Sequence, residues 1–260
     1  MPTSSRWRSD CSDGTDGRPA AAATRMRELA AGLVDLVYPP VCAVCGEGGG
    51  AVLCDACRAQ FEAAQGACVR CGAAVGSAGG AQLCPACERG VSRRFSRIHA
   101  AGVYGGPLRS AILALKYGRR RRLAEPLGEF LAERLGADVE EPSAYLLIPV
   151  PLHPSRFRER GFNQSELLAR VVGSSLGCRV ERDLMKRVRR TKPQASLPAY
   201  ERAANILGAF AVPRPERVAG RRVLLVDDVV TTMSTVNECA RVLADAGVAE
   251  VRIAAVARGG

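Results

Sequence analysis

Val223-Leu-Leu-Val-Asp-Asp-Val-Val-Thr-Thr-Met-Ser-Thr235 decides how this chain is read. Val223 to Val226 are apolar without polar alternation, which predicts a strand buried on both faces of a parallel sheet. Val236, Ala240 and Leu243, stopped by Gly247, predict a helix with Ser234 or Thr235 as its N-cap. Asp227 and Asp228 close the strand, and the turn Val230, Thr231, Thr232, Met233, Ser234, Thr235 leads into the helix. Backbone amides at a helix N-terminus favour an anion, while the two acids suit the neutral hydroxyls of the same ligand. The order strand, acid pair, hydroxyl run, helix predicts a cradle for a phosphorylated sugar. An ATPase acid strand would need a G-x-x-x-x-G-K-[ST] partner, which the chain lacks. A response-regulator acid pair would need a phosphoacceptor aspartate on a later strand, and only one more strand fits before Gly260.

Upstream, Tyr145-Leu-Leu-Ile-Pro-Val-Pro151 predicts a second buried strand closed by prolines. The segment 152–164 follows, then a helix over about 165–176 stopped by Gly177. Arg156, Arg158 and Arg160 present guanidinium forks suited to phosphate oxygens, and Ser155 and Asn163 add donors. His153, set among prolines, reads as structural rather than as a base. Ile98 to Tyr104 predicts a strand, and Leu108 to Lys116 and Leu123 to Leu135 predict helices. Lys116 reads either as a phosphate contact or as a surface lysine. Residues 182–210 show poor helical periodicity and carry Arg190 and Lys192, a basic loop that suits nucleic acid.

Eight of the eleven cysteines form four C-x-x-C pairs: Cys42/Cys45, Cys54/Cys57, Cys68/Cys71 and Cys84/Cys87. Two such pairs supply four thiolates to one tetrahedral zinc, closed to substrate. The segment repeats itself, Cys42-Ala-Val-Cys-Gly46 with Leu53-Cys-Asp-Ala-Cys57, then Cys68-Val-Arg-Cys-Gly72 with Leu83-Cys-Pro-Ala-Cys87. The duplication favours two structural zincs in sequential sites, with cross-bracing as the alternative. Disulfides and a redox pair are disfavoured by the expected cytoplasmic setting and by the lack of a thioredoxin-like pattern. Cys11, Cys178 and Cys239 fall outside the pattern and read as unliganded.

A chain of 260 residues, 47% apolar, can bury one α/β core and carry a small second module. No apolar run suggests a membrane span or a signal peptide, so the expected location is the cytoplasm. Residues 1–24 read as a disordered leader and 25–40 as a lead-in helix, with Met26 as a candidate start. A net charge of +11, concentrated at 119–122, 156–160 and 186–192, attracts polyanions, although aromatics reach only 5%.

The acid-and-hydroxyl run resembles the phosphoribosyl pyrophosphate (PRPP) motif of type I phosphoribosyltransferases. Tyr104-Gly-Gly-Pro-Leu-Arg109 with Leu115-Lys-Tyr117, Arg160-Gly-Phe-Asn-Gln164, the spacing from Thr191 to Phe210, and Tyr38-Pro-Pro-Val-Cys42 are similar to the competence-associated ComF family. The resemblance implies a mainly parallel α/β sheet of type I phosphoribosyltransferase form over 97–260 and an N-terminal double zinc ribbon over 41–90. It implies PRPP with Mg²⁺ as ligand, Asp227 and Asp228 as catalytic acids on the ribose hydroxyls, and residues 230–235 as the 5′-phosphate loop. Arg156, Arg158, Arg160, Asn163, Arg190 and Lys192 would take the pyrophosphate, the last two from a hood over 182–210. The family usually has glycine and then a small residue after the two threonines, where this chain has Met233 and Ser234. The implied activity is phosphoribosyl transfer, a glycosyltransferase reaction, to an acceptor no segment specifies, linked to DNA uptake. The alternatives are a non-catalytic protein that binds single-stranded DNA or serves as a scaffold in uptake and processing, or a PRPP-sensing regulator.

Overall fold

The computed structural model describes residues 39–259 except 65, 76–81, 91–92 and 192–197. The expected leader, nearly all of the expected lead-in helix, Cys11 and Lys192 lie outside the described residues.

Five parallel strands form the sheet: β1 (Arg97–Val103), β2 (Tyr145–Pro149), β3 (Arg179–Val180), β6 (Arg222–Val230) and β7 (Glu250–Arg258), in the order β1-β7-β6-β2-β3. The continuous apolar runs have the predicted cause. Leu147, Leu224, Val226, Ala254 and Val256 face one core, and Leu146, Ile148, Val223, Leu225, Ile253 and Ala255 face the other. The first core is covered by α3 (Gly106–Tyr117), α4 (Ala124–Asp138) and α6 (Gln164–Leu176), after two short helices in the cysteine region, α1 (Asp55–Ala59) and α2 (Pro85–Glu88). The second is covered by α8 (Ser234–Asp245) and by the segment carrying β4 (Lys186–Arg187), α7 (Ala199–Ile206) and β5 (Phe210–Ala211). No described helix is long and apolar enough to cross a membrane.

Strand β6 extends beyond the Val223 to Val226 stretch read from sequence, so the acids lie within it rather than after it. Pairing with β7 continues to Val230, whereas pairing with β2 stops at Val226, opposite Pro149. Proline has no amide to donate, so the ladder on that side ends where β2 meets Pro149 and Pro151. Asp227 and Asp228 thus occupy a one-sided extension at the carboxyl edge.

Helix α7 was not anticipated from periodicity. Its eight residues are too few to be stable alone, and Arg189 donates from Nη2 to the carbonyls of Asn205 (2.9 Å) and Leu207 (2.6 Å) at its C-terminus. β4 and β5 pair antiparallel beside it.

Helices α4 and α6 touch at Gly128, where a Cβ would come within 2.6 Å of Val171 Cβ. Alanine gains about 1 kcal/mol in helix propensity there, but a clash with a branched carbon forces the helices apart. Gly128→Ala is expected to lower the unfolding free energy in urea by about 1–3 kcal/mol.

The segment between the two cysteine repeats lines the free edge of β1. Val103 N donates to Glu62 O at 2.9 Å, and Ala64 N to Ala101 O at 3.3 Å. Gly102 makes this approach possible, since a Cβ there would lie 2.8 Å from Glu62 O.

Candidate functional site

At the carboxyl edge, Asp227 Oδ1 accepts from Ser165 Oγ (3.0 Å) and from the amide of Asp228 (2.9 Å). Asp228 Oδ1 accepts from Val229 N at 2.9 Å, and its Oδ2 lies 2.7 Å from Lys116 Nζ. Both acids are buried. Burial, and then the charge of Asp228, push the Asp227 carboxyl up to about 7, while Lys116 pulls it back. Burial disfavours the Lys116 ammonium, but Asp228 and Asp227 outweigh it and raise its pKa. Lys116 is therefore an internal counter-ion for the acid pair, neither a surface lysine nor a free phosphate contact. Its signal was its place in the last turn of a helix whose apolar face, Leu108, Ile112 and Leu115, is buried on this sheet. Ser165 gave no signal, because its role depends on α6 arriving beside β6.

The following loop differs from the expected cap. Ser234 is already helical, and Met233 takes the N-cap position at φ 63° with no side-chain cap. A left-handed methionine costs about 1–2 kcal/mol where glycine would cost little. The first turn of α8 leaves its amides without intrahelical acceptors, directed beyond the strand end. Thr232 Oγ1 and Ser234 Oγ lie 3.2 Å apart, and Thr231 and Thr235 flank them. Val230 closes the buried strand, and Arg258 Nη1 donates to the carbonyls of Val230 (3.1 Å) and Thr231 (2.6 Å).

Arg156, Arg158 and Arg160 lie on α5 (Pro154–Arg160), which His153 caps by accepting from Ser155 N at 3.2 Å. That is the structural role read for this histidine. Burial, and then the charges of Arg187, Arg190 and Arg158, hold its pKa below the usual value. Arg187 also feels Arg156 and Asp227. The fold thus gathers Arg156, Arg158 and Arg190 with a residue the sequence did not single out, Arg187, at the same edge as the acids. Arg160 is turned elsewhere, over the Tyr117 ring at 5.4 Å and onto Gln164. Asn163 is spent on the fold: its Oδ1 caps α6 through Ser165 N (3.1 Å) and its Nδ2 donates to Val150 O (3.0 Å). Gly161, at φ 79°, ends α5, and Phe162 is buried beneath Arg121. Arg160-Gly-Phe-Asn-Gln164 is therefore the corner that aims α6 and Ser165 at Asp227.

The cysteines assemble as two sequential quartets, Cys42/Cys45/Cys54/Cys57 and Cys68/Cys71/Cys84/Cys87, each with its sulfurs within 4.8 Å of one another. Cys45 Sγ to Cys54 Sγ is 3.7 Å and Cys71 Sγ to Cys84 Sγ is 3.6 Å. A tetrahedron with Zn–S bonds of about 2.3 Å has edges of about 3.8 Å, so both quartets fit a structural zinc. Gly46 and Gly72, at φ 79° and 68°, complete the turns after the first and third pairs. Burial works against the Cys42 and Cys68 thiolates, but backbone amides turned onto them bring both down to about 6. Cys178 and Cys239 are buried outside the quartets.

The chain matches the double zinc ribbon domain family over residues 33–88 and the phosphoribosyl transferase domain family over 163–260. It is 37% identical over 164 residues to the DNA utilization protein YhgH of Escherichia coli O6:H1, covering 61% of this chain and 70% of that one. It is 41% identical over 114 residues to competence protein F of Haemophilus influenzae, covering 43% and 49% of the two chains. With competence protein ComFC of Streptococcus pneumoniae it shares 27% identity over 173 residues, 65% of this chain and 69% of that one.

Proposed function

Since this chain belongs to the ComF family of competence and DNA utilization proteins, we propose that its sheet edge binds PRPP or a related phosphoribosyl ligand with Mg²⁺. The reading is carried by the buried pair Asp227 and Asp228 on the one-sided extension of β6, directly before the anion-accepting loop 230–235. The acids orient the ribose hydroxyls, and the loop amides with Thr231, Thr232, Ser234 and Thr235 hold the 5′-phosphate. Arg156, Arg158, Arg187 and Arg190 face the pyrophosphate. Asp228 is already paired with Lys116, so the acids are not arranged as a protein magnesium cage, and Mg²⁺ would enter with the ligand. Bound Mg²⁺ supplies charge neutralisation on the pyrophosphate. In a transfer reaction the bond from C1 to pyrophosphate breaks, the bond from C1 to the acceptor forms, and the two carboxylates stabilise positive charge developing at C1. Calorimetry is expected to detect PRPP with Mg²⁺, and Asp228→Asn to weaken it at least tenfold. No heat with the wild-type chain, and none with Met233→Gly, would overturn both the catalytic and the sensing forms of this reading.

A second reading has its own observation. Tyr117, 67% exposed, and Phe157, 46% exposed, stand among Arg119 to Arg122 and Arg156 to Arg160. Ring faces beside guanidinium groups suit single-stranded DNA, as a carrier or scaffold role in DNA uptake would require. Affinity should fall steeply with salt, and Tyr117→Ala should weaken it about tenfold or more. A salt-independent affinity would refute phosphate contacts by these arginines.

A further inference from the structure

Met233 stands at the centre of the phosphate loop, and its side chain packs against the second cysteine quartet as well as against the core beneath α8. Its Sδ accepts from Arg93 Nη1 at 3.0 Å. Arg93 comes from the connection between the second ribbon and β1. Arg93 therefore ties the connection that follows the second ribbon to the loop. Next to it, Arg94 N donates to Asn237 Oδ1 at 3.1 Å, in the first turns of α8.

A second bridge closes the other end of the loop. Arg258 Nε donates to Cys71 O at 3.3 Å, while its Nη1 holds Val230 O and Thr231 O. Both ends of the segment 230–237 are thus fastened to the second ribbon. The first ribbon has no such position: among the described residues it packs on α3 and α4, with Arg58 bonded to Glu129 and Glu133.

We infer that the second ribbon is a working part of the phosphate site, with Arg93, Met233 and Arg258 as positioning residues that couple zinc at Cys68/Cys71/Cys84/Cys87 to the shape of the loop 230–235. The quartet would hold zinc, and the turn at Cys71 so fixed would set Arg258 through the Cys71 carbonyl and Met233 through its packing on the quartet, with Arg93 holding the Met233 thioether. Methionine in a left-handed position is retained because its thioether reaches the ribbon, which glycine cannot do. The inference takes its ligand from the phosphoribosyl reading, but its mechanical part stands without it. Coupling is reciprocal, so a sugar phosphate that prefers the ordered loop must tighten zinc at this quartet by the same factor that zinc tightens the sugar phosphate.

The test uses the full chain, with hydrogen exchange followed over 230–240 and zinc content measured alongside. Cys87→Ser, with one zinc lost, is expected to speed exchange in this segment about tenfold, and Cys45→Ser is expected to leave it unchanged. Arg93→Gln and Met233→Gly should loosen the same segment with both zincs retained, which separates positioning from misfolding of the ribbon. Unchanged exchange in Cys87→Ser together with Met233→Gly overturns the coupling. In the second arm, ribose 5-phosphate should tighten zinc at the second quartet about tenfold in competition with a chelator, and Met233→Gly should abolish the effect. Binding of ribose 5-phosphate without any change in zinc affinity also overturns the coupling. Absence of binding instead overturns the phosphoribosyl reading, while the exchange arm still decides the link between ribbon and loop.

Discussion

Lys116→Met is expected to lower the unfolding free energy by about 3 kcal/mol and to make that loss grow as pH rises. Removing the ammonium leaves Asp227 and Asp228 buried without their nearest cation, and one carboxylate lies within a residue of the other. The pH dependence follows from Asp227. Its folded pKa, about 7, lies above an unfolded value of about 3.9, so the folded state binds more protons between these limits. The stability contributed by its protonated form is present below about pH 4 and is lost as pH rises through about 7. Without Lys116 the carboxyl rises further, so the deficit of the variant should be small at pH 5 and complete at pH 8. Urea titrations at both pH values measure it. Asp227→Asn in the same background should remove most of the pH-dependent part, because a neutral amide has no charge to bury. A deficit identical at pH 5 and pH 8 would show that Lys116 contributes only by packing. The same variant should lose PRPP binding, since Asp227 would then be protonated at neutral pH.

Withdrawal of both zincs has the larger effect, but on a smaller part of the molecule. Structural zinc contributes on the order of 10–16 kcal/mol to a ribbon-sized unit at neutral pH, and α1 and α2, of five and four residues, cannot persist without it. A strong chelator is expected to unfold residues 41–90 and to leave the helical circular dichroism of the sheet domain largely intact. The sheet domain should still melt several degrees lower. It loses the covering of α3 and α4 by Leu53 and Cys57, the Phe61 and Phe130 ring pair at 5.3 Å, and the Arg58 bridges to α4. Complete unfolding of the sheet by the chelator would mean that the ribbons are integral to its core rather than docked on it.

The sheet was legible because its signals are local. Val223 to Val226 and Tyr145 to Pro149 carry their burial on both faces in four- and five-residue apolar runs, and Gly177 and Gly247 mark where helices stop. The quartets were legible because a duplicated spacing contains its own pairing. The readings that changed depended on distant neighbours. Asn163 looks like a ligand donor until α6 needs a cap, and Lys116 looks exposed until α3 is laid against β6. Arg93, Arg187 and Arg258 carry no motif at all, and only the fold brings them to the loop and the acids. The cap at Met233 was misjudged for a related reason, since Ser and Thr are good caps by type, but contacts to the ribbon fix this turn.

The strand order has a consequence for how the chain is made. β7 is synthesised after every other strand, yet it lies in the sheet between β1, the first, and β6. Until it emerges from the ribosome, β1 has no strand to pair with, although the residues around Ala63 are already available to shield its other edge. The nascent domain must therefore leave apolar faces of the incomplete sheet exposed through the synthesis of more than a hundred residues. A ribosome that stalls in α8 releases a polypeptide with zinc ribbons already folded but without the strand that joins β1 to β6, an obvious client for chaperones and proteases.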